Sequence, residues 1–208
     1  MTTPGIDEEK RQRIIRASID EFREGYALAS TNEIVRKAGV SKGLLFHYFG
    51  NKKNLFLEVF KECAANLQEK LLTFQEADPG NIPSDIFDRL TRLALVKLRL
   101  FQADPALYQF LAAAIQDSPD DIKQELQTFI NTAAEDGIAT LLTGVDLSSL
   151  RPGIDPAKAL RLIQLVMDGL LRDYIGKEDF ASLDWNKEVA QFNEYMDMLR
   201  RGLGKQES

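Results

Sequence analysis

The segment from Ile34 to Leu57 carries side chains suited to binding a polyanion. It contains one histidine, no aspartate or glutamate, and five cationic side chains, which are Arg36, Lys37, Lys42, Lys52 and Lys53. Ammonium and guanidinium groups attract phosphate, and the lack of acidic residues in the segment leaves that attraction uncancelled. These residue types therefore predict contact with nucleic acid.

Net charge differs between the two ends of the chain. The 208 residues carry a formal charge of −6, which by itself argues against binding to a phosphate backbone. Residues 1–53, however, hold ten basic and seven acidic side chains, a net charge of +3. Residues 54–208 hold 16 basic and 25 acidic side chains, a net charge of −9. A basic surface can therefore persist within an acidic protein.

Two short helices must position the basic segment. The sequence predicts helices over residues 31–38 and 42–49, separated at Gly39, because glycine enters the left-handed conformation without steric cost. Leu45 and Phe49 lie four residues apart, so they share one helix face. That face can pack on the helix 31–38 and on a first helix over residues 7–24. This arrangement predicts a helix-turn-helix on a three-helix core.

The opposite face of the helix 42–49 carries the side chains that would read bases. Lys42 and Phe46 are four residues apart, as are Gly43 and His47. A narrow face of this kind fits the major groove of DNA. Lys42 can reach a guanine edge or a phosphate, and His47 can donate to either. Phe46 can contact a thymine methyl group, and Gly43 lets the backbone approach closely.

Phosphate contacts are expected at the flanks of this face. Lys52 begins the next predicted helix, and the backbone N–H groups there and at Thr31 suit phosphate oxygens. Ser41 caps the helix 42–49 and is included with the DNA-binding residues. Phosphate contacts would fix the position of the protein, whereas few side chains would read the sequence.

This segment resembles the DNA-binding segment of the TetR-type bacterial transcriptional repressor family. The family pattern reads approximately Thr, then Ile and Ala, then Ala-Gly-Val-Ser-x-Gly-x-Leu-Tyr-x-His-Phe, and then Lys. This chain carries Thr31, Ile34, Ala38-Gly39-Val40-Ser41, Gly43, Leu45-Phe46-His47-Tyr48-Phe49 and Lys52. The resemblance implies that Thr31, Lys42, Gly43, His47, Tyr48 and Lys52 lie at the DNA.

Two positions depart from the family pattern. Phe46 stands where the family usually has a tyrosine whose hydroxyl group meets a phosphate, and Tyr48 stands where the family has a histidine. The first departure removes the hydroxyl group of one expected phosphate contact. In addition, residues 1–6 carry no side-chain cation, which gives no support to a minor-groove contact by that arm.

Helical spacing of apolar residues continues through the rest of the chain. Nine helices are predicted, over residues 7–24, 31–38, 42–49, 52–76, 85–102, 105–116, 119–143, 156–176 and 185–203. The expected fold class is all-α, with a three-helix helix-turn-helix DNA-binding domain in residues 1–51 and a helical domain in residues 52–208. The resemblance implies that this second domain binds a small effector and dimerises through its last two helices.

Two apolar stripes at three-four spacing give partial support to a dimer. They consist of Leu160, Ile163, Met167, Leu170 and Tyr174 on one helix, and Val189, Phe192, Met196, Leu199 and Leu203 on the next. Such seams suit a four-helix bundle between two subunits, although both stripes can equally form core inside one chain. The first of these helices also carries apolar residues on its other faces, so it must be covered on most sides, which favours an interface in addition to a core. These residues are Leu162, Leu165, Val166 and Leu171.

The other residues whose types could form a metal or redox site are interpreted as structural. One cysteine and one histidine cannot build a four-ligand zinc site without several carboxylates, so no metal and no cofactor are expected. Cys63 shares the apolar face of the helix 52–76 and is interpreted as a core residue. Asp120, Asp121 and Glu125 are interpreted as charges at a helix start. No apolar run can span a bilayer and the start of the chain lacks a secretory signal, so a cytoplasmic location is expected.

We expect a homodimeric transcriptional repressor that binds a palindromic double-stranded DNA operator and is released by a small apolar or amphipathic effector. An enzyme is not expected, since no nucleophile with a paired base and no glycine-rich phosphate loop is recognised. One alternative is a helical carrier or enzyme acting on a hydrophobic molecule without DNA binding. Another is an activator or a pair of dimers that bind together, which shares the sequence features described. Aromatic residues that can enclose an effector or form plain core are Phe87, Phe101, Tyr108, Phe110 and Phe129.

Overall fold

A computed structural model describes residues 7–76, 83–175 and 184–205. The helices are α1 (Glu8–Phe22), α2 (Thr31–Ala38), α3 (Lys42–Phe49), α4 (Lys52–Glu76), α5 (Ile86–Ala103), α6 (Pro105–Gln116), α7 (Asp120–Leu142), α8 (Pro156–Ile175) and α9 (Trp185–Leu203). These elements confirm the all-α fold class. Within the described ranges, none of the helices combines the length and the apolar character needed to cross a membrane.

Side-chain caps account for where the N-terminal helices begin. The Ser30 hydroxyl oxygen accepts from the backbone N–H of Glu33 at 3.4 Å and caps α2. The Ser41 hydroxyl oxygen accepts from the N–H of Leu44 at 3.1 Å and caps α3. Asn51 accepts from the N–H of Asn54 at 2.8 Å at the start of α4. These short-range bonds fix the spacing of the three helices, because each satisfies an N–H group that lacks a partner within its helix.

Residues 1–69 and 104–136 form one compact unit, here called the N-terminal unit. Its aromatic core joins α1, α4 and α6: the ring of Phe56 lies edge-on to Phe22 at 4.8 Å and to Phe110 at 5.6 Å between centroids. From α3, Leu45 is 0% exposed and Phe49 is 8% exposed in the same core. Phe110 therefore serves as core in this unit. Cys63 is buried there too, and burial raises the pKa of its thiol to about 12.

Residues 70–103 and 137–208 form the second compact unit, here called the C-terminal unit. Within it α9 packs against both α5 and α8. The rings of Phe101 and Trp185 are 5.9 Å apart between centroids. The largely buried guanidinium group of Arg89 donates to the carbonyl oxygens of Pro83 at 2.7 Å and Thr143 at 2.6 Å. These bonds tie the start of α5 to the chain after α7. The predicted functional boundary after residue 51 stays a prediction.

Four of the ten residues in the two apolar stripes predicted for the dimer are buried inside one chain. The exposed fractions of Leu160, Ile163, Phe192 and Met196 are 8%, 0%, 2% and 4%. Packing of α9 on α5 and α8 accounts for their burial, because all three helices belong to the C-terminal unit. For these four residues the apolar stripe reflects packing within the chain.

The remaining predicted interface residues are placed differently. Met167, Leu170, Val189, Leu199 and Leu203 are partly buried, and Tyr174 lies outside the residues whose side chains are described. The large apolar side chains that α8 and α9 expose are other ones, namely Leu162, Leu165, Tyr195 and Met198. An interface that uses the partly buried stripe residues stays a prediction, and the exposed residues offer a second chain additional apolar surface.

Candidate nucleic-acid interface

The turn between α2 and α3 sets the direction of the second helix. Gly39 adopts φ +65°, a left-handed conformation that strains any residue with a Cβ atom. The following N–H, that of Val40, donates to the carbonyl oxygen of Val35 at 3.1 Å and closes the end of α2. α3 then begins one residue after its cap, Ser41. The sequence thus builds the predicted helix-turn-helix from local bonds.

The two faces of α3 have opposite environments. Leu45 and Phe49 enter the core, whereas Lys42, Gly43 and His47 are exposed. A Cβ atom added at Gly43 would have only the Ser41 hydroxyl oxygen near it, at 4.0 Å, so the space above this glycine is open. The outward face therefore combines one cation, one imidazole and a position where a large ligand can approach the backbone.

Partly buried residues frame the exposed face. Thr31, Phe46, Tyr48 and Lys52 all have intermediate exposure. The rings of His47 and Tyr48 meet edge to face at 5.1 Å between centroids, and Tyr48 also packs against the core. The exposed Ser41 completes the set of eight predicted DNA-binding residues, which the structure brings to α2, α3 and the start of α4.

Asn32 is a polar residue of this surface that sequence reasoning missed. The Lys42 ammonium group donates to the side-chain oxygen of Asn32 at 3.0 Å, and it lies 5.9 Å from the centroid of the Phe46 ring. The hydrogen bond crosses from α2 to α3. It orients the long side chain of Lys42 on the exposed surface. The sequence alone gives little reason to assign Asn32 to this surface, since an exposed Asn at the start of a helix is common.

Three of the five cations in the basic segment face carboxylates in space. Arg36 pairs with Glu33 at 2.7 Å, and Lys37 pairs with Glu21 at 2.7 Å. The ammonium group of Lys53 is 2.6 Å from Asp121 and 2.8 Å from Glu125, and these contacts raise its pKa. The segment free of acids in sequence therefore has acids as neighbours once folded.

The other two cations, Lys42 and Lys52, are held by groups that carry no charge. Lys42 lies against the Asn32 amide oxygen. The Lys52 ammonium group is 4.7 Å from the centroid of the Tyr26 ring, and burial lowers the pKa of Lys52. Neither an amide nor an aromatic ring cancels a positive charge. Of the five cations, these are also the two that the sequence assigns to DNA.

Partly buried polar bonds join α2 to α1. The Glu21 carboxylate of α1 accepts from the Lys37 ammonium group at 2.7 Å and from the backbone N–H of Ser30 at 3.3 Å. These bonds lower the pKa of Glu21, the Lys37 bond being the larger cause. On the other side of α1, Gln12 donates to Glu62 of α4 at 3.2 Å, and Arg11 pairs with the same carboxylate. These bonds tie α1 to both α2 and α4.

Comparison with known proteins adds independent evidence. Residues 14–59 match the family model of bacterial regulatory proteins of the tetR family. The transcriptional regulator BetI of Stenotrophomonas maltophilia is 34% identical over 86 residues, which span 41% of this chain and 43% of that protein. The transcriptional regulator BetI 2 of Chromohalobacter salexigens is 25% identical over 209 aligned residues, covering 89% of this chain and 100% of that protein.

A solved structure with a similar fold is the transcriptional regulator FadR of Bacillus subtilis in complex with stearoyl-CoA. It has a TM-score of 0.66 and 22% sequence identity, and the match covers 92% of this chain and 98% of that chain. At this identity the likeness shows the fold alone. The relatives named above are transcriptional regulators, which agrees with the expectation that this chain is not an enzyme.

We predict that Glu21 makes folding depend on pH in acid solution. Because the folded-state pKa of Glu21 lies below its ordinary value of 4.5, the stabilising effect of its carboxylate is present above that pH and is lost as pH falls through the folded-state pKa. Urea denaturation between pH 6 and pH 3 should show a smaller loss of unfolding free energy for Glu21→Gln than for the unmodified chain. The exposed neighbour Glu24 gives the matched control, Glu24→Gln. If the unfolding free energies of Glu21→Gln and the unmodified chain depended on pH identically, the Glu21–Lys37 bond would be too weak to affect stability.

Proposed function

Because this chain belongs to the TetR family of bacterial transcriptional regulators, we propose that it is a cytoplasmic repressor acting on a palindromic operator. It binds double-stranded DNA as a homodimer and leaves the DNA when a small apolar or amphipathic molecule binds. The observation that carries the proposal is the outward face of α3, where Lys42, Gly43 and His47 are exposed opposite a buried apolar face.

Each residue of the interface has a role that its chemistry supports. Lys42 and His47 donate to base edges or phosphates in the major groove, and Phe46 makes apolar contact with a thymine methyl group or a sugar. Gly43 allows the helix backbone to approach the duplex. Phosphate oxygens are bound by the Lys52 ammonium group and by backbone N–H groups at the starts of α2, α3 and α4, which Thr31, Ser41 and Lys52 mark. Tyr48 lies at the edge of this surface.

The positions of the charges favour DNA binding over the carrier alternative. If the basic face were merely solvated, there would be no reason for Lys42 and Lys52 to be the two cations held by uncharged groups. Phosphate binding gives a reason, because uncharged neighbours leave the positive charges of these two lysines available to phosphates. The family match over residues 14–59, which includes α2 and α3, supports the same conclusion.

An effector releases the protein from DNA by binding more tightly to one state of the dimer than to the other. A small molecule that prefers a state with misplaced α3 helices would shift the population away from DNA. The fold similarity to FadR of Bacillus subtilis, whose structure contains stearoyl-CoA, supports a long amphipathic effector.

We predict a salt-dependent DNA affinity that depends on Lys42. The unmodified chain should enrich a palindromic duplex from a random pool, and log Kd for that duplex should rise linearly with log salt concentration. In Lys42→Ala, loss of one cation in each protomer should reduce the slope by about 2 if Lys42 contacts phosphate. If it contacts a guanine instead, affinity should fall about tenfold and discrimination at that base should relax.

The matched control is Lys61→Ala, which removes an exposed lysine of α4 that lies 3.9 Å from Glu58. This variant should keep the affinity and the slope of the unmodified chain. His47→Ala should weaken binding by a similar factor to Lys42→Ala. Failure to enrich any duplex at low salt would refute the proposal, and so would affinities in the Lys42 and His47 variants equal to that of the control.

A homodimer is needed to place two α3 helices on one duplex about 34 Å apart. We assign the interface to the exposed apolar side chains of α8 and α9, which are Leu162, Leu165, Tyr195 and Met198. On each helix the two residues are three positions apart and so share a face. Burying these side chains against a second chain would remove apolar surface from water.

We predict that Leu165→Glu separates the dimer into monomers, because a carboxylate in an apolar interface must be desolvated. Analytical ultracentrifugation should show a dimer for the unmodified chain and a monomer for the variant, with DNA affinity reduced at least tenfold. Ile115→Glu is the control, since Ile115 is 49% exposed on α6 in the other unit. A Leu165→Glu variant that sediments as a dimer would exclude the assigned interface.

A further inference from the structure

The side chain of Lys52 is held by an aromatic ring at the start of α4. Its ammonium nitrogen lies 4.7 Å from the centroid of the Tyr26 ring. The face of an aromatic ring carries negative charge density and attracts a cation at this distance. Tyr26 lies in the segment between α1 and α2, so this contact joins the segment that precedes the helix-turn-helix to the helix that follows it.

The ring of Tyr26 is itself fixed by two phenylalanines. It stacks on Phe22 of α1 with an interplanar angle of 4° and a centroid distance of 6.2 Å. It meets Phe56 of α4 edge-on at 5.2 Å. Phe56 is fully buried and lies one helical turn after Lys52, so the ring is supported by the same helix that carries the lysine. Two aromatic neighbours therefore hold the ring that contacts the ammonium group.

The adjacent lysine provides a contrast. Lys53 meets the carboxylates of Asp121 and Glu125 at 2.6 and 2.8 Å, so its charge is compensated within the chain. A ring restricts a lysine side chain without compensating its charge. Of two neighbouring lysines, one is neutralised against α7 and the other keeps its full charge at the edge of the DNA-binding surface.

We propose that Tyr26 is a positioning residue for DNA binding, and that its ring holds the Lys52 ammonium group in place for a backbone phosphate. This inference rests on the proposed function. A free lysine side chain loses rotamer freedom when it binds a phosphate, and a side chain already held in place loses less. Partial burial also removes some of the water that the ammonium group would shed on binding, and the lowered pKa of Lys52 reflects that burial. Tyr26 thus acts on DNA through Lys52.

The test measures DNA affinity in four variants of the full chain with the duplex that the unmodified chain enriches. Tyr26→Leu removes the ring and should weaken binding about threefold to thirtyfold, the range expected for losing a cation–ring contact. Tyr26→Phe keeps the ring and should retain most of the affinity. Lys52→Ala should weaken binding and reduce the slope of log Kd against log salt by about 2 for a dimer. In the fourth variant, Tyr26→Leu added to Lys52→Ala should change affinity less than twofold further.

A second substitution keeps the test valid if Tyr26→Leu fails to fold. A pentafluorinated phenylalanine at position 26 preserves the shape of the ring but reverses the charge on its face, so it should weaken binding when Tyr26→Phe does not. Circular dichroism and thermal unfolding monitor the fold of each variant. Leu28→Ala is the matched control in the same segment, since Leu28 is 79% exposed.

Three results would overturn the proposal. They are equal affinities for the fluorinated and unfluorinated rings, an effect of Tyr26→Leu that persists at full size in the Lys52→Ala background, and a loss in Tyr26→Phe as large as in Tyr26→Leu. Absence of any enriched duplex would refute the proposed function instead. The two failures are therefore distinguishable.

Discussion

The insertion of two α3 side chains into the core of the N-terminal unit is the constraint on which the candidate interface depends. α3 has eight residues, and an isolated helix of that length is not stable in water. Leu45 and Phe49 are buried among residues of α1, α2 and α4, and burying each contributes about 1.5–3 kcal/mol. Because these two side chains occupy one face, Lys42, Gly43 and His47 must occupy the other.

Charge is arranged so that few cations remain available at this surface. Glu33, Glu21, Asp121 and Glu125 compensate three lysine or arginine side chains of the basic segment, while Lys42 and Lys52 rest on an amide and a ring. Residues 54–208 carry a net charge of −9, which repels duplexes that approach elsewhere. A short basic surface on an acidic chain suits a protein that must leave DNA as well as bind it.

The sequence predicts most of the fold because the signals that define these helices are local. The caps at Ser30, Ser41 and Asn51 lie three residues from the N–H groups they accept from, and the helix bounds that follow agree with the structure within two residues. A cap of the same kind starts α5, where the Asp85 carboxylate accepts from the N–H groups of Phe87 and Asp88 at 2.9 Å.

Contacts between distant parts of the chain could not be predicted in this way. The bonds from Lys42 to Asn32, from Lys52 to Tyr26 and from Lys53 to Asp121 depend on how helices pack, which spacing along one helix does not encode. For the same reason the apolar stripes of α8 and α9 did not distinguish a core from an interface: Ile163 is fully buried within the chain, whereas Leu165, two residues later, is 47% exposed. An NMR titration of the isotope-labelled chain with an enriched duplex tests most directly whether the exposed face of α3 binds DNA. The largest amide shifts should occur at residues 41–48, with smaller ones near Thr31 and Lys52. Shifts confined to the C-terminal unit, with none on α3, would contradict DNA binding by α3.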